Sequence, residues 1–181
     1  MFRSNLFLTF LIVFSFSTSV WSQERISTSA LEFPKNSIEF VVTFPEAPKV
    51  ETVFANGHVS KSAKLLGASV QMKVEILEFE EAIMEKFARF DEVQLSSAAW
   101  NHGRDNGLES LTVATGSSGF GRYAKMQGYK TLSGERMIFE AFFYYGKRQV
   151  FVLYVVSPSR LYPTKSITKF LNSMRFAKTP R

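Results

Sequence analysis

The chain has 181 residues, a formal net charge of +6, 19 phenylalanines and no cysteine. The missing thiol excludes disulfides, thiol chemistry and lipid attachment through cysteine, so the fold is held by burial alone. The length suits one domain with a single core, and no repeat, Gly/Ser tract or Pro-rich linker divides it.

Residues 1–22 carry one basic residue, Arg3, an apolar run from Leu6 to Phe16 and a small-residue exit at Val20-Trp21-Ser22. That is the pattern of a secretory signal peptide, cleaved between Ser22 and Gln23. The apolar run is shorter than the roughly 20 residues a membrane span needs. The expectation is export by a cleavable signal to the periplasm or beyond, with no transmembrane anchor. Residues 23–36 read as a flexible lead-in and 37–178 as the single domain.

Ile38, Phe40, Val42 and Phe44 alternate with Glu39, Val41 and Thr43, which predicts a half-buried strand stopped by Pro45 and Pro48. Asn56-Gly57 lies between two short extended runs and predicts a tight hairpin. In the next strand Val70, Met72, Val74 and Ile76 face one way and Gln71, Lys73 and Glu75 the other. From Phe79 the period becomes helical through Ile83, Phe87 and Phe90, with Glu80, Glu81 and Glu85 at the positive end of the helix dipole. This helix, broken near Asp91, is expected to reach Trp100, with Asn101 to Gly107 a loop by its turn chemistry.

Extended segments follow at 108–115 and 123–131 around a glycine-rich connection, Gly116 to Gly121, and then at Glu135 to Tyr145. "QVFVLYVVS" after Gly146-Lys147-Arg148 is apolar on both faces, although Gly146 in the first central turn position makes it half of an antiparallel hairpin. Such a strand must be central and covered on both sides. The 80–100 helix supplies one cover, and a last helix the other. In that last helix Ile167, Phe170, Leu171 and Met174 follow i, i+3, i+4, i+7, with Pro163 in the first turn.

The expected class is α+β: a central antiparallel sheet of about six to eight strands flanked by helices. "FVVTFPEAP" (Phe40 to Pro48) resembles the opening of secreted PsbP-like and DcrB-like domains. "GKRQVFVLYVVSP" (Gly146 to Pro158) and "ITKFLNSMRF" (Ile167 to Phe176) resemble their penultimate strand and closing element, with Met174 where an aromatic is usual. The resemblance spans about residues 33–178. It implies a PsbP-like sandwich used in accessory and binding roles, and it brings no catalytic residues.

The charge is uneven. Residues 23–121 hold nine Lys/Arg against fourteen Asp/Glu, a net of minus five, whereas residues 122–181 hold twelve Lys/Arg against two acids, a net of plus ten. Such asymmetry points to a basic surface for an anionic partner. The candidate residues are Lys147 and Arg148 at the hairpin tip, Arg160, and Lys165 with Lys169 on one helix face. The first functional expectation is therefore an exported, non-enzymatic accessory domain that binds an anionic envelope or extracellular component. Specific nucleic-acid binding and a cofactor are not expected. Neither is a metal, because His58 and His102 lack any ligand spacing.

Two other readings stand beside it. A small secreted serine hydrolase would use the Gly116–Gly121 loop, with Ser117 or Ser118 activated by His102 and oriented by Asp105. A carrier of an apolar ligand would use Tyr144, Tyr145, Tyr154 and Tyr162, with Trp100 near the opening.

Overall fold

Gln149–Pro158 is the central strand of a seven-stranded antiparallel sheet. The computed structural model describes residues 32–33, 40–55, 58–67, 69–118, 121–146 and 149–176. The Ser22–Gln23 junction and the Lys147–Arg148 tip lie outside the described residues. In chain order the strands are β1 (Glu32–Phe33), β2 (Phe40–Thr43), β3 (Lys49–Ala55), β4 (His58–Leu66), β5 (Gln71–Glu78), β6 (Glu109–Ser118), β7 (Gly121–Leu132), β8 (Glu135–Tyr145), β9 (Gln149–Pro158) and β10 (Arg175–Phe176). The helices are α1 (Glu81–Ala88), α2 (Glu92–Asp105) and α3 (Lys165–Leu171). The large sheet runs β3-β4-β5-β9-β8-β7-β6, and a small sheet runs β1-β2-β10.

Period-two alternation along β9 splits the interior into two cores. Phe151, Leu153 and Val155 pack with Met72, Val74 and Ile76 of β5, Phe40, Val42 and Phe44 of the small-sheet side, and Ile167 and Phe170 of α3. Val150, Val152 and Tyr154 face the other way, onto Met84 and Phe87 of α1 and Leu95 and Ala99 of α2. The protein is thus an α+β sandwich with a layer on each face of its central strand. A strand apolar on both faces can be antiparallel because two separate layers exclude water from it.

Several local expectations are corrected. Asp91 does break the helix: it caps α2 by accepting from Gln94 N (2.7 Å), while Gln94 Oε1 accepts from Asp91 N (2.9 Å). But α2 continues through Asn101–Asp105 instead of looping out. Leu95, Ala99, His102 and Gly103 form its buried face at i, i+4, i+7, i+8. A side chain at Gly103 would strike Leu111 and Met126, so glycine here is what lets the helix settle on the sheet. The helix ends at Asp105, with Asn106 as its C-cap and Gly107, whose φ of +68° suits glycine, just beyond.

The Gly116–Arg122 segment is also strand, not loop, up to Ser118 and again from Gly121. A Cβ at Gly121 would run into the Tyr145 carbonyl oxygen. Gly146 N donates to Gln149 O (3.0 Å), so Gly146 precedes the two-residue connection to β9 rather than occupying its first central position. Pro163, after a cis peptide bond, precedes the Thr164 cap and lies outside α3. Glu32 and Phe33, inside the expected lead-in, pair with β2, and Phe33 is buried.

Candidate functional site

The Ser133-Gly134 connection between β7 and β8, with φ of +50° and +80°, closes the Leu132–Glu135 pair. It sets Glu135 and Arg136 beside the end of β9, where a single helical turn, Ser159–Leu161, follows. Ser159 Oγ donates to Arg136 O (2.9 Å), and Arg160 Nε donates to Glu135 Oε1 (2.8 Å). The Arg136 guanidinium lies over the Tyr129 ring, 4.2 Å from its centroid, an arrangement that holds the charge at the surface. Ser133, Gly134, Glu135, Arg136, Ser159 and Arg160 line a shallow open groove that contains one carboxylate.

Five residues beyond Arg160, Lys165 opens α3. Thr164 Oγ1 caps this helix by accepting from Ile167 N (3.2 Å). Because Ile167 and Phe170 are the buried face, Lys165 and Lys169 are exposed. The exposed cations here are therefore Arg136 and Arg160 at the groove, and Lys165 and Lys169 on the exposed face of the helix that follows. Gly146 and Gln149 lie at the other end of β9, separated from Pro158 by the whole strand, roughly 30 Å at the strand rise, and Lys147 and Arg148 lie outside the described residues. Arg136 escaped the sequence reading. Its signal was the Ser-Gly turn, which fixes the β7–β8 register and sets Arg136 opposite Thr131, beside Tyr129.

The second group of candidates does not assemble. His102 is on α2, buried against Phe143 and Tyr154, with ring centroids at 5.3 and 6.3 Å. Its Nε2 is 3.4 Å from Asn106 Nδ2. Burial lowers the pKa of His102, opposed by the nearby carboxylates of Glu75 and Asp105. The helix rests on the sheet through Gly103 against Met126, which pairs with Val113. Ser117 and Ser118 lie four and five residues farther along β6, about 13–17 Å at the strand rise. Ser117 is exposed, whereas His102 faces the interior.

Other polar groups are buried on this side of the sheet. Glu75 accepts from Ser60 Oγ (2.7 Å) and Lys73 Nζ (3.1 Å). The Tyr154 hydroxyl is buried with no hydrogen-bond partner among the described residues, and burial raises its pKa well above that of a free tyrosine. Burial likewise pushes Tyr145 up to about 12, so neither phenol supplies a base near neutral pH. The cavity that Tyr154 and His102 share with Asn106, Leu108, Met126 and Phe139 has a free volume of about 10 Å³, room for one water. Trp100 projects from the outer side of α2 and is exposed. Among the described residues no three His, Asp or Glu side chains cluster as a metal site requires.

No family model matches the chain, and no curated protein is found similar to it.

Proposed function

We propose that this chain is an exported, non-enzymatic binding domain that contacts an anionic envelope or extracellular component through the end formed by Arg136, Arg160, Lys165 and Lys169. The observation that carries the reading is the pair of exposed cations, Arg136 and Arg160, on a groove with a single carboxylate, Glu135, followed five residues on by the exposed lysines of α3. A surface of one dominant sign concentrates oppositely charged partners by long-range attraction, screened over about 8 Å at physiological salt. Export is supported by the signal-peptide pattern of residues 1–22. Among the described residues no helix is long and apolar enough to cross a membrane. The resemblance of Phe40–Pro48 and Gly146–Pro158 to PsbP-like and DcrB-like domains favours an accessory role on that scaffold. The hydrolase reading has less support, because nucleophile activation needs hydrogen-bond contact with the base. So does the apolar carrier, because a one-water cavity holds no lipid chain.

The test is co-sedimentation of residues 23–181 with anionic and with zwitterionic vesicles, and with a soluble acidic polysaccharide, across a salt series. Binding to at least one anionic probe is expected and should weaken steeply as salt rises. R136Q/K165Q/K169Q should weaken it about tenfold without moving the unfolding midpoint, since exposed charges contribute little to folding. Binding that ignores both salt and the triple substitution overturns the proposal, as does absence of binding to every anionic probe.

A further inference from the structure

We propose that the outer edge of β3 is a self-association surface, on which a second copy of this chain pairs antiparallel, β3 against β3, about Thr52. β3 ends the large sheet, and among the described residues no strand pairs with its outer side. Its register with β4 is unbroken from Lys49–Lys64 to Ala55–His58. Val50, Val53 and Phe54 are 42%, 51% and 78% exposed. An extended edge with unpaired backbone groups and apolar side chains is a template for another strand, and proteins usually blunt it with bulges, proline or charge. The opposite edge of this sheet is blunted. The register of β6 shifts between Glu109 and Thr112, Ser110 has a φ of +51°, and α2 packs beside it. β3 has no bulge and no proline, and its two charges, Lys49 and Glu51, pair with each other at 3.9 Å.

The backbone pattern selects the occupant. Ala55 and His58 flank a two-residue connection, so theirs is the pair that exchanges both hydrogen bonds. By alternation, Val50, Thr52 and Phe54 turn their N–H and C=O groups outward. In a two-fold pairing centred on Thr52, Val50 falls opposite Phe54 of the second copy, Thr52 opposite Thr52, and Phe54 opposite Val50. All the outward groups then meet, giving about six backbone hydrogen bonds. Two apolar cross-strand pairs and a Thr–Thr pair result, each of a favourable type. Glu51 falls opposite Val53, and no like charges oppose. Sliding the register one way sets Glu51 against Glu51, and sliding it the other leaves Val50 beyond the partner strand. One strand ladder buries less than the standard interface of about 1,600 Å², so the dimer is weak and concentration-dependent.

Sedimentation velocity of residues 23–181 from micromolar to millimolar concentration tests this. A dimer fraction rising with concentration is expected. V50K/F54K sets like charges opposite each other across the two-fold and should weaken dimerisation about tenfold or more. V50K/F54E sets opposite charges at the same contacts and should restore it. Because both residues are exposed, the unfolding midpoint of each variant should stay near that of the wild type, so a loss of dimer is not a loss of fold. A wild-type chain that stays monomeric, with or without an added strand peptide bound at β3, overturns the proposal. So does a dimer that V50K/F54K leaves intact, or one that V50K/F54E fails to restore.

Discussion

Leu153 of β9 and Val74 of β5 sit directly opposite each other, both essentially inaccessible to solvent, at the centre of the core between the large sheet and α3. Phe142 of β8 is the residue opposite Leu153 on its other side. Leu153 is therefore held within one layer by neighbours on both flanks and has little room to relax.

The first prediction follows from that enclosure. Leu153→Ala removes buried methyl groups and leaves a cavity that the strands cannot close by sliding, because their register is fixed by backbone pairing. The expected loss is about 2–5 kcal/mol, read from a denaturant titration. Val53→Ala, on the exposed edge, should stay within about 0.5 kcal/mol. Equal effects at the two sites would contradict the central placement of β9.

His102 supplies a pH dependence. Its folded pKa lies below the ordinary value of about 6.5, because burial against Phe143 and Tyr154 disfavours the charged ring more than Glu75 and Asp105 favour it. The unfolded chain therefore binds the proton more readily. The contribution of neutral His102 to stability is present above the unfolded pKa and is lost as pH falls below it, until the folded pKa is reached. His102→Asn should flatten the wild-type decline in unfolding midpoint as pH falls below the ordinary histidine value of about 6.5. An unchanged slope would mean that the ring is not what titrates there.

The two-faced burial of β9 was legible because Val, Phe and Leu occupy both parities of one short run, and α3 was legible from the spacing of Ile167, Phe170 and Leu171. The extension of α2 was not. Asn101, Gly103, Asp105 and Asn106 carry loop chemistry, and what overrides it is the contact of Gly103 with Leu111 and Met126, residues that only tertiary folding brings close. Lys165 and Lys169 could be read as one face from their spacing. Arg136 could be set beside Arg160 only once the end of β9 was known to return beside the β7–β8 turn, through Ser159.

The last prediction concerns Lys125 and Glu140, diagonal neighbours on β7 and β8 with Nζ 2.6 Å from Oε1. The Glu140 side chain is 2% exposed and that of Lys125 is 40% exposed, so the carboxylate carries most of the desolvation cost. Its second oxygen, Oε2, has no hydrogen-bond partner among the described residues. Lys125 also lies over the Phe142 ring, 4.9 Å from its centroid. Lys125→Met keeps much of the aliphatic packing but strands a buried carboxylate, and removing one partner of a buried pair typically costs about 3–5 kcal/mol. Solvent reaching the exposed lysine end should put this case at or below the lower limit of that range. Replacing both residues, as K125M/E140M, leaves no buried charge and should recover most of the loss, so the double variant should be more stable than K125M alone. Denaturant titrations of the two single variants and the double variant complete the cycle. If the double variant is the least stable of the three, the pair itself is a net source of stability, and the reading of Glu140 as a carboxylate sustained by its lysine fails.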